Sequence, residues 1–216
     1  NAPGAHLSGT ARGAGNIDPF AKGMAPGAKL VYYPPVGSGH FQRIDSDYAQ
    51  YQVFIHNSSY SGGCNSGYNS QAAELDQNSV DHRSYLHVFS AGNNGNSPCS
   101  NAYIPGVPWG NITGGHKLAK NVVATANLTD FDIPASSSSK GPATDGRIKP
   151  DIAAVCTQVY STGPDNTYFN ATGTSMAAPG AAGTLAVLYS AYKQTHSNMD
   201  PAGGLMKNIL MNTADD

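Results

Sequence analysis

Gly173-Thr174-Ser175-Met176-Ala177-Ala178-Pro179-Gly180-Ala181-Ala182-Gly183-Thr184-Leu185-Ala186-Val187-Leu188 is the stretch on which the fold turns. Its body is apolar almost all round, the mark of a helix buried on every side, and a long helix is expected over 175–195. Gly180 and Gly183 each cost about 1 kcal/mol against alanine inside a helix, a cost tolerated where another backbone must come close. Ser175 falls in the first turn, where backbone N–H groups lack acceptors and the helix dipole is positive. A serine there is either a helix cap or, beside donors that favour developing negative charge, a nucleophile.

Outward from this helix, short apolar runs bounded by Gly, Pro or Asn predict strands at 28–33, 51–56, 86–89, 122–126 and 152–154. Their apolarity is continuous rather than alternating, as expected of strands covered on both faces. A helix is predicted over 70–81, and a last one with Asp200 as N-cap, Pro201 at the first helical position and an end near Asn212. The serines at 136–139 suggest a surface loop. No repeat or low-complexity linker divides the chain, so strand and helix alternate within one domain over 1–216. That order predicts a three-layer α/β fold with a mostly parallel sheet and a ligand site at the carboxyl ends of its strands.

Composition narrows the function classes. The chain has 216 residues, 12 basic against 14 acidic, a net charge of -2 and no basic run, so it has no electrostatic footprint for nucleic acid. No apolar stretch approaches the roughly 18 residues that span a bilayer. Charged residues make up only 12%, with abundant Gly, Ser, Asn and Thr, a look common among secreted enzymes. Of three cysteines, Cys64 and Cys99 sit in Gly/Ser/Asn-rich loops where a disulfide is feasible, and Cys156 lies in an apolar run that predicts a buried, inert thiol. Asn57, Asn111, Asn127 and Asn170 each begin an Asn-x-Ser/Thr triplet, which matters only in a eukaryotic secretory route.

The string Gly173-Thr174-Ser175-Met176-Ala177-Ala178-Pro179 resembles the nucleophile signature of the subtilisin-like serine proteases, the subtilases. The resemblance extends to Gly4-Ala5-His6-Leu7-Ser8-Gly9-Thr10, with Leu7-Ser8 where Val-Ala is more usual, and to Ser90-Ala91-Gly92-Asn93-Asn94-Gly95. It continues through Gly23-Met24-Ala25-Pro26-Gly27-Ala28-Lys29-Leu30 and Ser139-Lys140-Gly141-Pro142. Asp145-Gly146-Arg147-Ile148-Lys149-Pro150-Asp151-Ile152 is similar to the longer bacterial branch. Ala154-Val155-Cys156 departs from the usual Ala-Pro-Gly. These matches occur in the family's order and span nearly the whole chain.

The resemblance implies a subtilisin-like fold and a serine endopeptidase working through an acyl-enzyme. Ser175 would be the nucleophile, His6 its general base, and the Asn93 side chain with the Ser175 backbone N–H the oxyanion hole. By the same resemblance Ser59, Tyr60 and Ser61 pair with an extended peptide, and Ser90, Ala91 and Gly92 form one wall of the first specificity pocket. Its floor would lie near Thr113-Gly114-Gly115. None of these segments holds an acid, so an apolar or broad preference before the scissile bond is expected over a dibasic one.

In this family the aspartate that orients the histidine lies upstream of it. Only five residues precede His6, while Asp18, Asp45 and Asp47 follow it, so no residue here is assigned that role. The expectation is a catalytic domain incomplete at its N-terminus, unstable and nearly inactive alone, whose partners are a polypeptide substrate and the missing segment or a propeptide. The chemistry needs no cofactor. Structural calcium is conceivable at Asp45, Asp47, Asp76 or Asp81, but no loop carries a calcium motif. A secreted or cell-surface location fits the family. Two other readings are weighed: a non-catalytic peptide-binding relative, and an esterase or lipase of different fold. The last is disfavoured because the serine is not in Gly-x-Ser-x-Gly and the histidine precedes it.

Overall fold

The computed structural model describes residues 2–33 and 41–215. Strands β1 (Ile55–Ser58), β2 (Leu86–Ser90), β3 (Val123–Leu128) and β4 (Ile152–Val155) form one sheet in that order, every pair parallel. Helix α3 (Ser70–Asp81) makes the crossover from β1 to β2 and is capped by Asn69, whose Oδ1 accepts the Ala72 N–H at 3.2 Å. Ala72 and Leu75 of α3 pack with Phe89, Ala119 and Val122 on one side of the sheet. On the other side α4 (Thr174–Thr195) and α5 (Gly203–Asn212) press Ala178, Leu185, Tyr189, Met206 and Leu210 against Leu86, Val88 and Val123. β2 is buried along its whole length, His87 and Ser90 included, as expected of a strand covered on both faces. The result is the expected three-layer α/β architecture.

The long helix keeps its glycine for the predicted reason at one of two positions. A Cβ on Gly183 would lie 2.6 Å from Met24 Cβ and 2.8 Å from the Ala11 carbonyl, so helix α1 (Ala2–Arg12) approaches through that gap. Gly180 meets only Cys156 Sγ at 3.8 Å, an ordinary contact.

Several expectations are corrected. Residues 28–33 form no strand, and Leu30, Val31 and Tyr32 are exposed. Helix α2 (Ile44–Tyr51) occupies the start of the predicted 51–56 strand; Gln52, left-handed at φ 53°, ends it, and the strand begins only at Ile55. Asp200 does not cap the last helix, because its carboxylate pairs with Lys193 at 2.5 Å; Ala202 is the N-cap and Gly203 the first helical residue. Within 136–139, Ser138 and Ser139 are buried rather than on the surface. They accept the N–H groups of Asn127 and Asn94, so their hydroxyls serve the interior.

Helices α1 and α2 and a hairpin of two strands went unpredicted. Helix α1, rich in Gly and Ala, has no clear apolar stripe to betray its period. It is held instead by the antiparallel hairpin β5 (Val159–Thr162) and β6 (Tyr168–Ala171). Ser161 and Thr162 there donate to the carbonyls of His6 and Ala5 at 3.1 and 2.8 Å. The C-terminal helix is fastened by Lys207, whose Nζ donates to Asp151 Oδ1 and the Val122 carbonyl, both at 2.8 Å, while Lys149 holds Oδ2 of the same carboxylate at 2.6 Å.

A Cys64–Cys99 disulfide joins the loops that leave β1 and β2, closing a separation of 35 residues. Loop closure of that length restricts the unfolded chain by about 3–4 kcal/mol. Replacing both cysteines by serine is therefore expected to lower the unfolding free energy by a margin of that order, read as a lower urea midpoint, and an unchanged midpoint would show that the loops are held by other contacts.

Candidate active site

Ser175 is the second residue of α4, after Gly173, whose φ of 143° suits glycine, and Thr174. At this position its N–H has no intrahelical acceptor and points out of the helix end. Four residues on, Pro179 has no N–H, so the Ser175 carbonyl loses its helical donor. Ser59 replaces that donor: its hydroxyl reaches the Ser175 carbonyl at 2.9 Å. A proline in the helix thus ties the loop after β1 to the candidate nucleophile. The sequence signal was present, since a proline inside a predicted helix always frees the carbonyl four residues earlier.

Asn93 lies against the same helix end. Its Oδ1 accepts both the Thr174 N–H and the Thr174 hydroxyl at 3.0 Å. A backbone N–H can only donate, so the oxygen must face Thr174 and Nδ2 is turned the other way, beside the start of the helix. The turn that carries Asn93 is equally determined. Gly92 donates its N–H to Thr174 Oγ1 at 3.1 Å and has φ 119°. Buried Asn111 donates to the carbonyls of Gly95 and Ser97 at 2.9 Å each, bracing the far side of the turn. Among the described residues neither Asn93 Nδ2 nor the Ser175 N–H has a hydrogen-bond acceptor, and both belong to groups placed at this helix end by Thr174.

The three segments expected to line substrate are brought together behind this turn by a residue that the sequence reading passed over. Lys117 is fully buried, and its Nζ donates to the Tyr60 carbonyl, to Thr113 Oγ1 at 2.8 Å and to Ser90 Oγ at 3.4 Å. Burial pushes its ammonium down from the ordinary 10.5 to about 7. The Tyr60 hydroxyl meets His116 Nδ1 at 2.5 Å, and burial raises it above its usual range. Ala91 and Thr113 are buried, and Ser61 is exposed.

His6 is fully buried on α1, and the structure does not join it to Ser175. Its Nε2 lies 3.0 Å from the Val159 carbonyl and 3.2 Å from the Phe169 carbonyl, with the imidazole against the Phe169 ring at 4.7 Å. Both oxygens only accept, so Nε2 carries a hydrogen in this arrangement and has no lone pair to offer a serine. Thr10 Oγ1 is 3.5 Å from Nδ1, and no carboxylate hydrogen-bonds to His6 among the described residues.

The acids considered for calcium are occupied differently. Asp76 accepts from the Tyr68 hydroxyl and from the N–H groups of Lys120 and Asn121. Asp47 is buried and takes the Tyr33 hydroxyl, Asp45 faces His82 at 2.7 Å, and Asp81 accepts from Gln77. Among the described residues no three His, Cys, Asp or Glu side chains cluster as metal ligands. Cys156 is buried, and burial pushes its thiol up to about 12, which suppresses thiolate formation at neutral pH.

Fold and site together define a three-layer α/β protein with a serine at the head of its central helix and an asparagine turn locked against it. The subtilase family model matches residues 1–216, and the chain belongs to that family. It is 36% identical over 99 residues to a C5a peptidase of Streptococcus pyogenes, covering 42% of this chain and 8% of that protein. It is 34% identical over 111 residues to a PII-type proteinase of Lactococcus lactis subsp. cremoris, covering 46% of this chain and 6% of that protein. The chain therefore matches only a small part of these long relatives. Among solved structures, a mutant of the protease domain of PatA aligns with TM-score 0.76 at 18% identity, covering 100% of this chain and 73% of that one. A cold adapted subtilisin-like serine proteinase aligns with TM-score 0.67 at 22% identity, covering 100% and 69%. Both show the shared fold.

Lys117 makes stability depend on pH with a definite sign. Its folded value near 7 lies below the ordinary 10.5, so between them the unfolded chain binds the extra proton. Stability from this group therefore rises as pH climbs through that window, and the buried charge costs most below about pH 7. Lys117→Met should abolish the slope. The variant's unfolding free energy relative to the parent is expected to fall by on the order of 2 kcal/mol from about pH 7 to about pH 9, read by urea titration.

Proposed function

We propose that this chain is the larger part of the catalytic domain of a serine endopeptidase that acts outside the cytoplasm. Ser175 attacks the scissile carbonyl, His6 takes its proton and returns it to the leaving amine, and Asn93 Nδ2 with the Ser175 N–H holds the oxyanion. The observation that carries this reading is the locked orientation of Asn93: Thr174, the residue before the serine, consumes its oxygen, which leaves the amide donors for a substrate oxygen. The Cys64–Cys99 disulfide supports an oxidising compartment. The segments at Ser59-Tyr60-Ser61 and Ser90-Ala91-Gly92 contain no acid, which favours an apolar or broad preference before the cleaved bond.

For His6 to act as base, Nε2 must leave the Val159 and Phe169 carbonyls, and Nδ1 must donate to an acceptor that fixes the new tautomer. We assign that role to a carboxylate on a segment N-terminal to Asn1, following the family order of aspartate, histidine and serine. An orienting aspartate is worth about 10⁴ in turnover for triad proteases. The chain produced alone should turn over peptides at least that much more slowly than the protein carrying its upstream residues, and equal rates would overturn the assignment. The His6 hydrogen bonds described above equally suit a protein that binds peptides without cutting them. A fluorophosphonate probe separates the two readings: it labels Ser175 of the protease, loses the label in Ser175→Ala, and leaves a mere binder untouched.

Within an active domain, Asn93→Ala should lower kcat by about 10²- to 10³-fold with a smaller change in KM, a magnitude known from a relative, subtilisin. A loss confined to KM would place Asn93 in substrate binding instead.

A further inference from the structure

We propose that Lys117 sets the charge preference of the first specificity pocket, its ammonium disfavouring cationic substrate side chains and favouring uncharged or anionic ones. The inference rests on the endopeptidase reading above and concerns which side chain that site accepts. Three chain segments converge on one nitrogen: the Tyr60 carbonyl after β1, Ser90 Oγ at the end of β2, and Thr113 Oγ1. One of these partners, Ser90, is itself a residue of the expected wall. A Cβ on Gly92 would lie 2.5 Å from Thr113 Oγ1, so the wall glycine and the hydroxyl that Lys117 holds are in direct contact.

The charge is uncompensated. Lys149 and Lys207 share the Asp151 carboxylate at 2.6 and 2.8 Å, whereas Lys117 forms no ion pair among the described residues and is held by neutral oxygens alone. The titratable groups beside it are Tyr60, whose ring its Nζ overlies at 5.3 Å, and His116 on its own turn; β2 presents Ser90 and the preceding loop Thr113. With all three donors engaged, the ammonium acts on a substrate through its field rather than by contact. Such a field is weakly screened once substrate has displaced water from the pocket. A Lys or Arg side chain entering there meets a like charge with no acid to receive it, a repulsive element that confers specificity.

The test uses the full-length protein at about pH 6, below the Lys117 value of about 7 so that the ammonium is charged, and three peptides that differ only in the residue before the scissile bond: Leu, Lys or Glu. Lys117→Met is expected to raise the Lys-to-Leu ratio of kcat/KM by about tenfold and to lower the Glu-to-Leu ratio by a similar factor. Lys117→Arg, which keeps the charge, should retain the parent ratios. A residue that merely braces the wall would, on replacement, slow all three peptides by one common factor, and unchanged ratios in Lys117→Met overturn the proposal. Fluorophosphonate labelling of Ser175 checks that each variant is folded, and Lys117→Gln, which keeps a donor but not the charge, serves if the methionine variant is not labelled. Parent protein that neither labels nor cleaves any of the three peptides would overturn the endopeptidase reading and this one with it. Labelling with cleavage but with unmoved ratios sinks only the role of Lys117.

Discussion

The site depends on how the first turn of α4 is satisfied. Every helix begins with N–H groups that have no acceptor, and this one begins inside the protein, where leaving them unpaired is costly. Asn93 Oδ1 takes the Thr174 N–H, the Thr174 hydroxyl bridges onward to Gly92, and the Ser175 N–H remains. At the same turn Pro179 releases the Ser175 carbonyl to Ser59. One helix end is thereby bonded to the loops leaving two strands, β1 and β2. The order in which those loops arrive follows from the parallel sheet, whose carboxyl ends all open on this side.

Much of this organisation was legible in the residues, and for identifiable reasons. α4 carries a long apolar body and α3 a clear asparagine cap, and β2 and β3 lie in the interior with layers on both sides, whereas β4 is only half-buried, with Val155 exposed. The elements that escaped lack such signals. α1 is short, mixed in polarity and stabilised by hydroxyl donors from β5, a long-range contact with no local trace. Asp200 before Pro201 reads as a helix cap, but an ion pair with Lys193 outcompetes capping once α4 lies alongside. At the site, motif strings pointed to Ser175, His6 and Asn93, whereas Lys117 belongs to no string. Its position emerges only when three loops fold around it.

His6 illustrates how a residue of the right type can be held in the wrong state. Its imidazole satisfies two hairpin carbonyls and lies tilted against the Phe169 ring, an arrangement with every polar atom of the ring accounted for except a weak contact at Nδ1. A buried imidazole adopts whichever tautomer its neighbours pay for, and carbonyls select the one with hydrogen on Nε2. An ionised carboxylate facing Nδ1 offers a stronger, charge-assisted bond than two neutral carbonyls can, and selects the opposite tautomer. The difference between a structural and a basic histidine here is thus a choice of partner rather than of residue.

The same contrast between paired and unpaired charge runs through the interior. Asp151 receives two ammonium groups and the Ala124 N–H, a compact network in which both cations share one carboxylate and α5 is anchored to the sheet. Even there burial lowers Lys149 to about 8, with Asp151 acting against the shift. Lys117 lacks such a counterweight and is displaced further, to about 7, although carbonyl and hydroxyl oxygens surround it. A fold under selection for stability alone would gain by replacing that ammonium with an apolar side chain of similar length. Its placement where the three candidate substrate segments meet is the physical reason for connecting it with what enters the pocket rather than with the integrity of the core.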